Sequence, residues 1–205
     1  SLFESWYGIA GRNVRLAIVG QALAAALTRA ISHLRLAHRP ARVDLVIDAW
    51  DESATGTQPE PDLREPGAGG ITTASPDGRY VLFEQARVRS VLDRTARRIV
   101  TAVTAAADLT QYELGRPWHS ELLLWQRDLG LQPLHAGFIS RDGAGILLGG
   151  PGGSGKSTTS LACTQDGWAY LADDYVAVSD PAEPPVTGYG VYNSAHLEPA
   201  HLRRF

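Results

Sequence analysis

What this sequence lacks narrows it first. It contains no methionine and a single cysteine, Cys163. One thiol cannot close an internal disulfide, which fits a reducing, cytoplasmic setting rather than a disulfide-stapled secreted module. Without methionine, Ser1 is not an initiator, and the chain stops abruptly at HLRRF. The expectation is therefore that part of the natural protein lies outside these 205 residues. No basic-then-apolar leader opens the sequence, which begins SLFESWYGIAGRN. No apolar run approaches the roughly 20 residues that span a bilayer. The most apolar stretch, LAIVGQALAAALTRAISHL, carries Gln21, Thr28, Arg29 and Ser32 and reads as a packed helix. An excess of positive charge is missing too. With a net charge of −3, the chain has no global basic field to attract nucleic acid.

What is present separates into two regions. Residues 1–130 read as a small α+β module that recognises an acceptor or partner. Val14–Val19 and Arg42–Trp50 have strand composition, and Gln21–Leu36 between them is an Ala/Leu-rich helix. Residues 51–70, rich in Gly, Pro and acid, form a loop. The turn signal SPDG at 75–78 predicts a hairpin between ITTA and RYVLFEQ, while 88–92 and 97–103 fit strand or helix equally. Pro117 and Gly130 bracket a predicted helix, WHSELLLWQRDL, whose Trp118 and Trp125 stand seven apart on one face and belong to a core.

From about Leu131 to Phe205 the residues carry chemistry. HAGFIS and GILLGG are apolar runs joined through Asp142-Gly143, the strongest short hairpin signal there is. If those two residues make the turn, 141 pairs with 144, and continuing the ladder sets His135 opposite Gly150. Gly150 opens a complete G-x-x-x-x-G-K-[ST] element: Gly150, Pro151, Gly152, Gly153, Ser154, Gly155, Lys156, Ser157. Its glycines let successive N–H groups point at phosphate oxygens, and a helix starting near Lys156 adds its positive end. Lys156 supplies an ammonium for the outer phosphates, the Ser157 hydroxyl suits Mg²⁺, and Thr158 follows in the first turn.

The helix TTSLACTQDG should end at Gly167, with Cys163 as a small apolar residue inside it. A crossover should then place Tyr170–Ala172 parallel to the loop strand, with Asp173 and Asp174 at its carboxyl end beside the phosphates. Adjacent strand residues face opposite ways, so the two carboxylates take different tasks: one for Mg²⁺ or its water, the other as proton acceptor. His196 and His201, five apart, share no helical face and make a poor metal site; Arg203 and Arg204 read as surface arginines.

His135-Ala-Gly, the hairpin, GPGGSGKS and Ala172-Asp173-Asp174 together resemble the C-terminal catalytic domain of HPr kinase/phosphorylase, over residues 131 to 180. That family shares its nucleotide site with ATP-dependent phosphoenolpyruvate carboxykinase. The resemblance implies an α/β fold: a P-loop kinase core with a mixed sheet, here preceded by the small α+β module. It implies ATP on the loop with Ser157 on Mg²⁺, Asp174 as the base and His135 as a catalytic neighbour of the phosphates, which leaves Asp173 as the carboxylate for Mg²⁺ or its water. It also implies a hydroxyl-bearing protein or peptide acceptor and a possible homo-oligomer. Departures exist: Thr158 stands where the bacterial regulator has Glu, and its later acidic ligand and arginine find no counterpart.

Three rivals share the loop. A transporter ATPase needs an LSGGQ signature, which is absent. The carboxykinase is echoed in KSTTS but is a much larger enzyme. The alternative from another class is a non-catalytic or slowly hydrolysing ATP-binding switch that recognises a partner without transferring phosphate.

Overall fold

A computed structural model of the chain describes residues 1–57, 71–85 and 87–195. The fold is mixed α/β and forms two compact units, Ser1–Arg29 with Leu34–Glu121, and Ala30–His33 with Leu122–Phe205. Most of the 51–70 loop, and the side chains of His196, His201, Arg203 and Arg204, lie outside the described residues. Among the described residues no helix is long and apolar enough to cross a membrane.

The first unit opens with β1 (Leu2–Ile9) and β2 (Arg12–Val19), an antiparallel pair. Ser5, Tyr7 and Ile9 are buried in alternation, the mark of a strand with one wet face. Ala10 and Gly11 turn the chain at φ 52° and 69°, the left-handed pair that suits a two-residue hairpin. Alanine in place of the usual Asn or Asp hid this hairpin from the sequence reading. β3 (Leu45–Asp51) runs parallel to β2. It starts later than Arg42 because Asp44 spends its carboxylate on the Asn13 amide, 3.0 Å away, before the ladder begins. Between them α1 (Gln21–Thr28) stops short of the expected Leu36 and tightens into a 3₁₀ segment, Arg29–Leu34. The Thr28 hydroxyl donates to the Ala24 carbonyl at 2.7 Å, a back-bond that bends helices at this point.

A four-residue helix, α2 (Glu52–Thr55), follows β3, capped by the Asp51 carboxylate. Burial alone would raise that carboxyl, but donors from Ser53, Ala106 and Ala54 hold it below the ordinary range. The SPDG turn joins β4 (Ile71–Ala74) to β5 (Tyr80–Glu84) as expected, and β6 (Val88–Asp93) and β7 (Arg98–Val103) resolve as strands. The sheet order is β1-β2-β3-β7-β6-β5-β4, with β7 parallel to β3. Register aligns Leu16, Ile47, Ile99, Leu92 and Val81 in one row across it, none more than 5% exposed. The next row is Ile18, Ala49, Thr101, Ser90 and Phe83, so two hydroxyls sit within an otherwise apolar line. A short helix, α3 (Gln111–Gly115), starts on a reciprocal Thr110–Glu113 capping box.

The predicted helix between Pro117 and Gly130 is α4 (His119–Asp128). Trp118 and Trp125 are both buried, but they do not share a helical face. Trp118 precedes the helix with φ 55°, and its indole Nε1 donates to Thr101 Oγ1 at 3.0 Å within the first unit. The left-handed backbone at a bulky residue breaks the seven-residue spacing argument.

The second unit is built around β8 (Gln132–Arg141), with β9 (Ala144–Gly149), α5 (Lys156–Gln165), β10 (Ala169–Ala172), β11 (Tyr175–Val178) and β12 (Gly188–Tyr189). β9, β10 and β11 all pair antiparallel with β8, and β12 adds to β11. Phe138, Ala172, Val176 and Val178 form its packed centre.

In the first unit Arg79 grips Asp93 with two nitrogens, at 3.1 and 2.8 Å, across the β5–β6 pair. That grip, with the Ala96 amide, brings the Asp93 carboxyl down to about 2 from an ordinary 3.8. A depressed acid contributes stability above its unfolded value and loses it as pH falls through the folded one. Asp93→Asn should therefore lower the Tm modestly at neutral pH and remove the part of the acid-induced decline that falls between about pH 4 and 2. Melting curves across that window, compared with the unmodified chain, check this.

Candidate functional site

The hairpin between β8 and β9 sets the geometry of this site. Asp142 and Gly143 turn with φ 52° and 80°, and the ladder runs from Arg141↔Ala144 to Ala136↔Gly149. That is the expected register, ending one pair before His135 and Gly150. His135 is instead paired across the opposite edge of β8, with Tyr175.

β10 and β11 run along that opposite edge in nearly continuous register, with a bulge at Leu171 and a break at Asp173–Asp174. The expected parallel neighbour of the loop strand is therefore corrected. β9 and β10 do point the same way, but β8 lies between them, because both pair with it antiparallel. Ala136 becomes the pivot. Gly149 stands opposite it on one edge, and on the other its amide donates to the Asp174 carbonyl at 3.0 Å. Two interstrand spacings, about 10 Å, thus separate the mouth of the phosphate-type loop from Asp174.

At this end of β8 the His135 imidazole Nε2 lies 2.6 Å from Asp174 Oδ1. The Tyr175 ring stacks on the imidazole, centroids 5.4 Å apart and planes 21° from parallel. Both polar groups reach solvent, with side chains 51% and 23% exposed. Asp173 is 5% exposed, so the two carboxylates occupy different surroundings; both lie in the bend between β10 and β11, where strand alternation does not apply.

The loop from Gly150 to Gly155 bends through glycine-only conformations. Gly150 has φ 156°, and a Cβ there would lie 2.6 Å from Ser154 Oγ; Gly155 has φ 93° where α5 begins. No side chain caps α5, and its Thr159 amide donates to Gly155 O at 2.9 Å, so the turn before it starts the helix. Pro151, Gly152, Gly153 and Ser154 are exposed; Lys156, Ser157 and Thr158 are half-buried. The Lys156 ammonium donates to the Gly150 and Pro151 carbonyls at 2.9 and 3.2 Å, so it sits over its own loop. Cys163 is half-buried rather than enclosed, and Gly167, at φ 83°, follows the end of α5 as predicted.

No three His, Cys, Asp or Glu side chains cluster as a cation site among the described residues. Mg²⁺ held with a nucleotide needs only one or two protein oxygens beside the phosphates, a set that the Ser157 hydroxyl and one carboxylate would satisfy.

Sequence reasoning missed the residues that set the spacing of these groups. Gly137 faces α5, and a Cβ on it would meet Ser160 Oγ at 2.6 Å. Ser160 itself is fully buried, and its hydroxyl has no hydrogen-bond partner among the described residues. Gly190 lets the chain after β12 cross the Leu171 bulge, where a Cβ would fall 2.0 Å from the Leu171 carbonyl oxygen. The glycine two places after His135 was visible in the sequence, but its reason, close approach of a helix, was not. No protein-family model matches this chain, and no curated protein matches it.

Gly137→Ala should destabilise the chain by about 1–3 kcal/mol through overpacking. Ser160→Ala should be neutral or gain up to about 1 kcal/mol, since it removes an unsatisfied buried hydroxyl. Combined, the second change should recover most of the loss from the first. Chemical denaturation of the three variants reads the coupling, and strict additivity would show that helix and strand do not meet as described.

Proposed function

We propose that the second unit carries the P-loop kinase core of an HPr-kinase-like phosphotransferase. It moves the γ-phosphoryl group of ATP to a hydroxyl, serine being the leading choice, on a protein or peptide acceptor. One observation carries the reading: an imidazole–carboxylate pair, His135 and Asp174, stands one strand away from the start of a complete G-x-x-x-x-G-K-S loop.

Phosphoryl transfer asks for positioning and charge neutralisation more than covalent chemistry. The amides of 150–157 and the positive end of α5 suit the phosphate chain of ATP, and the Lys156 ammonium suits its outer phosphates. Mg²⁺, when bound, neutralises charge between the outer phosphates; Ser157 and Asp173 are the residues assigned to hold it. Asp174 takes the proton of the acceptor hydroxyl as the new O–P bond forms and the bond from phosphorus to the ADP oxygen breaks. His135, its Nε2 at 2.6 Å from Asp174 Oδ1, keeps that carboxylate oriented.

The test is transfer itself. The chain, incubated with γ-labelled ATP, Mg²⁺ and a lysate from its source, should label a discrete acceptor. Lys156→Ala should cut labelling by about 10²–10³-fold, the range seen on loss of a charge-stabilising donor. Asp174→Asn should cut it by about 10²–10⁴-fold, as loss of a general base does. Slow ATP hydrolysis with no labelled acceptor would replace this reading with the nucleotide switch, and undiminished labelling by Asp174→Asn would remove the base assignment.

A further inference from the structure

The first unit contains a cavity of about 170 Å³ bounded by residues of that unit alone. By the same kind of measure a single water needs only about 10–15 Å³, so the space exceeds one solvent molecule several-fold. Phe83, Val103, Tyr112 and Trp118 contribute apolar and aromatic wall, and Thr101 and Glu121 contribute polar groups. Glu121 is 5% exposed. It accepts from the Ser90 hydroxyl, and no ion pair is made to it among the described residues. A carboxylate taken this far out of water normally has a cation beside it.

The hydrogen bonds around it all run one way. The Trp118 indole can only donate, so Thr101 Oγ1 accepts from it at 3.0 Å. Thr101 and Ser90 hydroxyls are bonded to each other at 3.1 Å, and Ser90 donates to Glu121. The order is therefore Trp118 to Thr101 to Ser90 to Glu121, a chain of which only the Ser90 hydroxyl meets the carboxylate. Trp118 reaches the first position only through its left-handed backbone, φ 55°. Such a conformation in a bulky residue is strained and persists where surrounding structure enforces it. Burial raises the Glu121 carboxyl above its ordinary range, the direction expected of an acid whose charge lacks a counter-ion.

We infer that this cavity is a binding site for a small organic cation, an ammonium group on a compact apolar body. The ammonium pairs with Glu121, and the Phe83 and Trp118 side chains among the lining residues contact the apolar body. The site is built from the first unit alone and does not depend on the kinase reading.

Benzylamine and its neutral counterpart, benzyl alcohol, are suitable probes on the full chain. The Trp118 indole N–H resonance, assigned by its loss in Trp118→Phe, reports occupancy. Benzylamine should shift that resonance saturably, with a Kd at least tenfold below that of benzyl alcohol. Glu121→Gln, which keeps the shape and removes the charge, should erase the preference, while Lys156→Ala should leave it intact. Equal affinity for amine and alcohol, absence of a saturable shift, or an undiminished amine preference in Glu121→Gln would each overturn the assignment. If Glu121→Gln does not fold, the amine–alcohol comparison on the unmodified chain decides alone.

Discussion

The second unit depends on one strand having two usable edges. β8 presents Gly149 to one side of Ala136 and Asp174 to the other, and the Asp142-Gly143 turn decides which residue faces which. A slip of one residue between β8 and the edge formed by β10 and β11 would move every side chain there to the opposite face. His135 would then leave Asp174, and Phe138 would leave the packed centre. Because one register places both the apolar side chain and the imidazole, core packing and site geometry are secured together.

Depth is set separately from register. Gly137 brings α5 close, because Ser160 rests where a side chain would otherwise stand. Ser160 lies one helical turn after Lys156, and Gly137 lies two residues after His135. The same close approach that packs helix on strand therefore limits how far the ammonium can stand from the imidazole. The cost is a fully buried hydroxyl without a partner, which a smaller residue would avoid.

Local signals were legible where a few neighbouring residues determine the backbone. Asp-Gly gave the hairpin and its register, the glycine-rich loop gave the start of α5, SPDG gave β4–β5, and Gly130 followed a helix end. Signals that depend on distant partners were not. The path of β10 could not be read, since β8 comes between it and β9 only after the hairpin has folded back. Tyr175 stacks on His135 across strands forty residues apart in sequence (175 − 135), and no local pattern encodes that. α1 ended early because of a Thr28 back-bond, and Trp118 left its helix through a left-handed residue; both are single-residue effects that periodicity averages away. With no family model matching, the resemblance to the HPr kinase domain rests on the motif residues alone.

The two units treat their acids in opposite ways. Asp174 is part-exposed and has an imidazole nitrogen 2.6 Å from its carboxylate. Glu121 is buried, supported by neutral donors: its own backbone amide and the Ser90 hydroxyl, which is bonded in turn to Thr101 within an apolar row. Neutral donors soften the loss of water around a carboxylate but do not cancel its charge. A sheet row of Ile18, Ala49 and Phe83 could have been completed with valines at 90 and 101, at less cost than two hydroxyls, an indole and a left-handed tryptophan. That these polar groups form one chain ending on a carboxylate at a cavity wall is explained if the charge they leave uncancelled is matched from within the cavity.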